Sequence, residues 1–265
     1  MTESAQVAAS LDIPWSRLSL LALLILLMLV LSRWLRLGFE RPLLIASLRG
    51  ALQLTAVGYV LTALFALTRP ELVFTTLLVM LAVAGRTATS RAGRQLPGVS
   101  MVATLTMGVG TGLSLLLTTQ AVLGVTPWYS PQHWIPIGGM LLGNAMSGVS
   151  LASERLTEEI EAKRGEIEAR LCLGYSGHEA LHPLVARSLR AAMIPTLNSL
   201  TVAGVVQLPG MMTGQILSGV SPLIAVKYQL VILAALVLSV TVSSLLFLRA
   251  LAARHLTAAH QLRQL

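Results

Sequence analysis

In a chain this apolar, chemistry starts from the few side chains that hydrocarbon does not solvate. Five amides and one ammonium fall inside or beside long apolar runs: Gln53, Gln120, Asn144, Asn198, Gln207 and Lys227. A polar group at membrane depth is costly unless it faces protein or a water-filled cavity, so each is a candidate for a transport pathway. Asn144 and Asn198 leave two readings open. They are either amide glue between helices or the lining of a pathway. Met211, Met212 and Gln215 follow Pro209-Gly210 in a stretch too short to cross a bilayer and too apolar for a plain loop, which predicts a re-entrant or interfacial piece. Their thioethers are soft ligands that suit Cu(I) better than ferric iron, and methionine also fills irregular apolar gaps, so they name no metal.

The remaining reactive groups exclude several chemistries. His133, His178, His182, His255 and His260 fall in three separate regions. His178 and His182 could share a helix face, but Pro183 beside them favours a structural role over a metal site. Cys172 is the sole cysteine, which rules out an internal disulfide and any multi-cysteine cluster within one chain. No nucleophile, base and orienting group stand together, so the chain is not expected to be an enzyme. A phosphate-binding loop needs a Gly-Lys pair, and the two lysines, Lys163 and Lys227, follow Ala162 and Val226. The chain is therefore expected to bind no cofactor, and any ATP that drives it belongs to a partner subunit.

The segment 153–190 is the most water-loving part of the chain. It holds Glu154, Glu158, Glu159, Glu161, Glu166, Glu168 and Glu179 of the 11 acidic residues. Leu151, Leu156, Ile160, Ile167 and Leu171 recur at near-helical spacing, and Glu159/Lys163 and Glu166/Arg170 are i,i+4 pairs in the favoured order. Gly174 stands where a helix-ending glycine belongs, and Ser176-Gly177-His178-Glu179 has the spacing of a capping box. The pattern predicts a long helix, a short helix starting at the box, and a third starting at Pro183, whose ring suits a first helical position. This is either a solvated hairpin that spaces two helices or a docking surface for a cytoplasmic partner.

What must position these residues is a set of membrane helices. The chain has 265 residues, 55% hydrophobic and 11% charged, with a mean hydropathy of +0.77. A crossing takes roughly 20 apolar residues. Seven segments approach that: Leu18–Leu31, Leu48–Leu67, Leu72–Thr87, Ser100–Leu123, Ile135–Ala152, Leu189–Leu208 and Leu223–Leu248. Six spans is the alternative. The first fourteen residues carry Glu3 and Asp12 and no basic residue, so a cleaved signal peptide is not expected. All of the 19 lysines and arginines except Arg17, Arg69 and Lys227 fall on alternate connections. By the positive-inside rule the amino terminus lies outside and the carboxyl terminus in the cytoplasm. The net charge of +8 thus reflects topology rather than nucleic-acid binding. Trp128, Tyr129 and Trp134 fit an aromatic belt on the outer side. The whole reads as an all-α polytopic membrane protein, one permease domain over 1–265 with a cytoplasmic helix–turn–helix between spans five and six.

Glu168-Ala169 followed by Gly174 resembles the EAA loop of ABC transporter permeases, whose short coupling helix inserts into a groove of the ATPase subunit; the isoleucine-x-leucine-proline part of that signature does not follow. Three stretches carry a closer resemblance: Gly138 to Leu151, Glu168 to Glu179, and Met193-Ile194-Pro195-Thr196-Leu197-Asn198-Ser199 through Leu208-Pro209-Gly210-Met211-Met212-Thr213-Gly214-Gln215-Ile216. Together they are similar to the FetB-type iron-export ABC permeases of bacteria, whose plant relatives act in aluminium tolerance. The resemblance implies a homodimeric permease subunit in the bacterial inner membrane that works with a separate cytoplasmic ABC ATPase and moves iron or a related solute outward. It implies ATPase coupling through Glu168, Ala169 and Gly174, in the same segment as the capping-box residues Ser176 and Glu179, while the polar side chains and the Pro209-Gly210 stretch put the expected pathway near Asn144, Asn198, Gln207, Met211, Met212 and Gln215. A secondary transporter or channel is the competing class. It would need an intramembrane carboxylate or charge pair, and every Asp and Glu lies outside the seven segments. A membrane scaffold without transport is a third class that composition leaves open.

Overall fold

The computed structural model describes residues 14–67, 69–89, 98–257 and 261–262. Helices account for nearly all of them, with two isolated β-bridges and no named strand. These residues group into two compact units. In the first, α1 (Trp15–Leu18) and α2 (Leu20–Trp34) precede α3 (Glu40–Leu67). The turn between α2 and α3 uses Arg36 and Gly38 at positive φ, and the Ser32 hydroxyl, fully buried, donates to Glu40 Oε1 at 2.9 Å across it. Most of this unit's surface is apolar: Leu48, Leu52 and Leu54 of α3 are over 70% exposed, a surface suited to lipid rather than water.

The second unit holds α4 (Pro70–Thr89), α5 (Val99–Leu116), α6 (Pro131–Ala162), α7 (Arg164–Cys172), α8 (Gly177–Val202), α9 (Gly210–Leu217) and α10 (Pro222–Arg254). α5 runs on as a π-helical segment to Val122. α10 is the hub and packs on α5, α6 and α8, while α4 closes the other side against α5 and α6. Close approach is bought with small residues: a Cβ on Gly110 would sit 2.8 Å from the Ser243 nitrogen and 3.0 Å from the Ser239 oxygen, and one on Gly148 would sit 2.7 Å from Val240. Thr111 and Ser239 hydrogen-bond across the α5–α10 seam at 3.2 Å. Around this seam Met107, Ala145, Val149, Leu156, Phe247 and Leu248 are fully buried.

Among the described residues five helices are long and apolar enough to cross a membrane: α3, α4, α5 with its π segment, α6 and α10. Two of the seven expected crossings fall short of that standard. α2 has 15 residues, about 22 Å of helix against a hydrocarbon layer of about 30 Å. The apolar run Leu189–Leu208 belongs to α8, which ends at Val202; Ala203 is extended, Gly204 has φ 82°, and the Gly204 amide donates to the Gln207 carbonyl to close a turn.

The helical hairpin also differs in one respect. Both expected ion pairs form, Glu159–Lys163 at 3.5 Å and Glu166–Arg170 at 2.8 Å. No third helix starts at Pro183, however: α8 begins at Gly177 and runs through both Pro183 and Pro195. The short helix is α7, on the other side of Gly174. Pro183 forfeits the bond to the Glu179 carbonyl, but Ala180, Leu181 and Leu184 on either side of it are buried, and that packing keeps the helix intact.

Candidate functional site

The polar residues singled out in the spans partly converge. A cleft of about 140 Å3 lies among α6, α8, α9 and α10, lined by Asn144, Gln207 and Met211 together with Met140, Thr196 and Ser199. Asn144 does not reach across to another helix: its amide nitrogen donates to the Met140 carbonyl one turn back at 2.9 Å. Gln207 reaches the cleft because the turn after Val202 folds the chain back on itself. Met211 arrives on α9, eight residues long and too short to cross, as a re-entrant or interfacial piece requires. Asn198 is exposed and lies outside the cleft, and Met212 and Gln215 are half-buried outside its lining.

One lining residue was not among the candidates. Gln229 of α10 is 7% exposed, and its side-chain oxygen has no hydrogen-bond partner among the described residues. A buried amide oxygen left unpaired costs about 1–3 kcal/mol, and this one is free to accept from a polar group that enters the cleft. Its signal in the sequence was an amide two residues after Lys227 in a helix long and apolar enough to cross a membrane. Besides aliphatic residues the cleft is lined by amides, hydroxyls and thioethers, all neutral. They can hydrogen-bond a solute or exchange with its water but cannot neutralise a bare multivalent ion. Among the described residues no group of three His, Cys, Asp or Glu converges as a metal site, and the His178 and His182 rings are 6.0 Å apart.

The second assembly is the elbow between α7 and α8. Gly174 has φ 90°, its amide donates to Leu171, and the Tyr175 amide donates to Arg170. These nested bonds form a Schellman end to α7, which requires a left-handed residue at Gly174. α8 then starts with both halves of a capping box: the Glu179 amide donates to Ser176 Oγ at 3.3 Å, and the Ser176 amide to Glu179 Oε2 at 2.9 Å. The Ser176 hydroxyl and then its backbone amide hold the Glu179 carboxyl below the ordinary glutamate pKa. Glu168 pairs with Arg164 at 2.9 Å, and Ala169 accepts the Leu173 amide. At the tip, Leu173 is 77% and Tyr175 53% exposed, an apolar pair at a sharply defined corner. The corner is fastened to α6 through Glu159, whose buried carboxylate meets Arg155, Lys163 and Arg187 of α8.

Elsewhere Phe74, Trp128 and Trp134 stack within 6 Å of one another, with Tyr129 against Trp128, which gathers the expected aromatic belt into one cluster.

Comparison with known proteins places these features in context. The profile of a family described as "Uncharacterised protein family (UPF0014)" matches residues 15–256. The chain is 36% identical over 237 residues to the UPF0014 membrane protein slr1647 of Synechocystis, covering 89% of this chain and 92% of that protein. It is 35% identical over 221 residues to the Protein ALUMINUM SENSITIVE 3 of Arabidopsis thaliana, 83% of this chain and 80% of that one. It is 31% identical over 233 residues to the Probable iron export permease protein FetB of Escherichia coli, 86% of this chain and 87% of that one. No solved structure matches the chain.

Proposed function

The chain belongs to the UPF0014 family, and from that premise we propose that it is the permease subunit of an ABC-type exporter, moving iron or a related metal or solute out of the cytoplasm with a separate ATPase subunit as its engine. The observation that carries this reading is the elbow at Gly174. A left-handed glycine, a capping box and two exposed apolar side chains build a rigid corner, and Glu159 ties that corner to α6, which also lines the cleft. A push on the corner is thereby delivered to Asn144 four turns down the same helix. The basic residues at this end of the molecule support a cytoplasmic elbow by the positive-inside rule, and the reading carries with it an amino terminus outside and a location in the inner membrane. Two copies related by a twofold axis would enclose the pathway, since Asn144 and Ser199 of its lining are exposed in a single chain.

The test is co-expression of the chain with a candidate ATPase followed by reconstitution of both in proteoliposomes. A stable complex and ATP-dependent movement of iron are expected. Transport by the purified chain alone, or labelling of residues 153–190 from outside the cell, would overturn the reading.

A further inference from the structure

A second cavity, which shares no lining residue with the cleft, opens between the first half of α8 and the last turns of α10. It encloses about 240 Å3. Leu181, Val185, Leu189, Leu245 and Leu256 give it an apolar floor. Its polar lining is of one kind: Arg249, His178 and His182 stand at the rim, all three exposed, with no acidic residue among the lining. Arg249 has no ion pair among the described residues, and the carboxylate of Glu179, next to His178 in the chain, is occupied by Ser176. Gly177, the first residue of α8, also lines the space, so the positive end of that helix adds to the rim.

We propose that this cavity binds an anionic phospholipid, with an acyl chain on the leucine floor and the phosphate held by Arg249 and the two imidazoles. Each part of the ligand answers a feature of the site. A soluble anion has no use for five aliphatic side chains, and a neutral lipid leaves an arginine beside an apolar wall without a counter-charge. A guanidinium binds phosphate through two parallel N–H bonds, and each imidazole has an N–H to donate in either protonation state. The level is right as well. Arg249 lies five residues before the end of α10, a membrane-crossing helix, and the opposite wall is the start of α8, which leads out of the water-exposed elbow. That is the depth of lipid headgroups.

The full-length chain, purified in a neutral detergent, is offered phosphatidylglycerol or phosphatidylcholine with identical acyl chains, and retained lipid is read by native mass spectrometry. Preferential retention of phosphatidylglycerol is expected. Arg249→Gln should lower that retention roughly fivefold, the effect of one interfacial arginine on an anionic lipid, and His178→Asn with His182→Asn should lower it further. Ala253→Phe fills the cavity from an exposed position and should exclude both lipids while the variant elutes as the parent does on size exclusion. Equal retention of the two lipids, unchanged retention in Arg249→Gln, or displacement of phosphatidylglycerol by inorganic phosphate alone would overturn the assignment. So would protection of Ala253→Cys, made together with Cys172→Ser because Cys172 is exposed, by an added ATPase subunit and not by phosphatidylglycerol, which would make the cavity a protein-docking site.

Discussion

Arg187 of α8 reaches Glu159 of α6 at 3.5 Å, across 28 residues of chain, and so joins α8 to the helix that precedes α7. Arg155 at 2.9 Å and Lys163 at 3.5 Å converge on the same carboxylate from its own helix. The carboxylate is 7% exposed, whereas Arg187 and Arg155 are 44% and 48% exposed. Losing a buried partner from a buried pair costs roughly 3–5 kcal/mol because a charge is stranded away from water. Here the stranded cations would stay hydrated. Glu159→Gln should therefore cost only about 1 kcal/mol, read as a small fall in Tm, and Arg187→Glu should cost more by setting two carboxylates together. A fall of the same size in both variants would contradict this.

Gly174 separates backbone strain from packing. A Cβ there meets nothing within 4 Å, yet φ is 90°. An L side chain in a left-handed conformation costs about 1–2 kcal/mol, and asparagine tolerates it best. Stability and ATP-coupled export should both fall in the order Gly174→Asn, Gly174→Ala, Gly174→Val. If alanine and asparagine behave alike, the left-handed turn is not what the elbow requires.

Glu179 predicts a pH dependence at the start of α8. Its folded pKa is lowered by the Ser176 hydroxyl and backbone amide. A carboxylate with a lowered pKa contributes stability that is present above the unfolded value and is lost as pH falls through the folded one. Hydrogen-exchange protection of residues 179–181 should hold near neutrality and decline in acid, below the ordinary glutamate range. Ser176→Ala should remove protection at neutral pH and flatten the acid decline.

Gln229 sets stability against function. Gln229→Leu removes a buried oxygen that has no partner among the described residues, so the variant should melt at the same or a higher temperature. Export should nevertheless drop about tenfold, the value of one hydrogen bond to a solute. A leucine variant that exports normally would remove Gln229 from the pathway.

The legible parts of this protein were those written in neighbouring residues. Ser176 and Glu179 are three apart, Glu166 and Arg170 four apart, and Gly174 ends the helix before them; such bonds close within one turn, so spacing alone announces them. The apolar runs announced membrane helices because burying them in lipid needs no particular partner. Gln229, Asn198 and Pro183 were different. Whether an amide in a helix faces a cleft or open surface depends on the rotation of that helix against its neighbours, and the cleft took Asn144, Gln207 and Gln229 but left Asn198 outside. Pro183 stayed inside α8 because Leu181 and Leu184 are buried beside it. Sequence by itself determined the all-helical membrane character, the charged elbow and its caps, since these rest on local hydrogen bonds and hydropathy. Tertiary structure alone decided which side chains meet in the cleft and that Glu159 binds Arg187, because both depend on the rotation and approach of helices far apart in the chain.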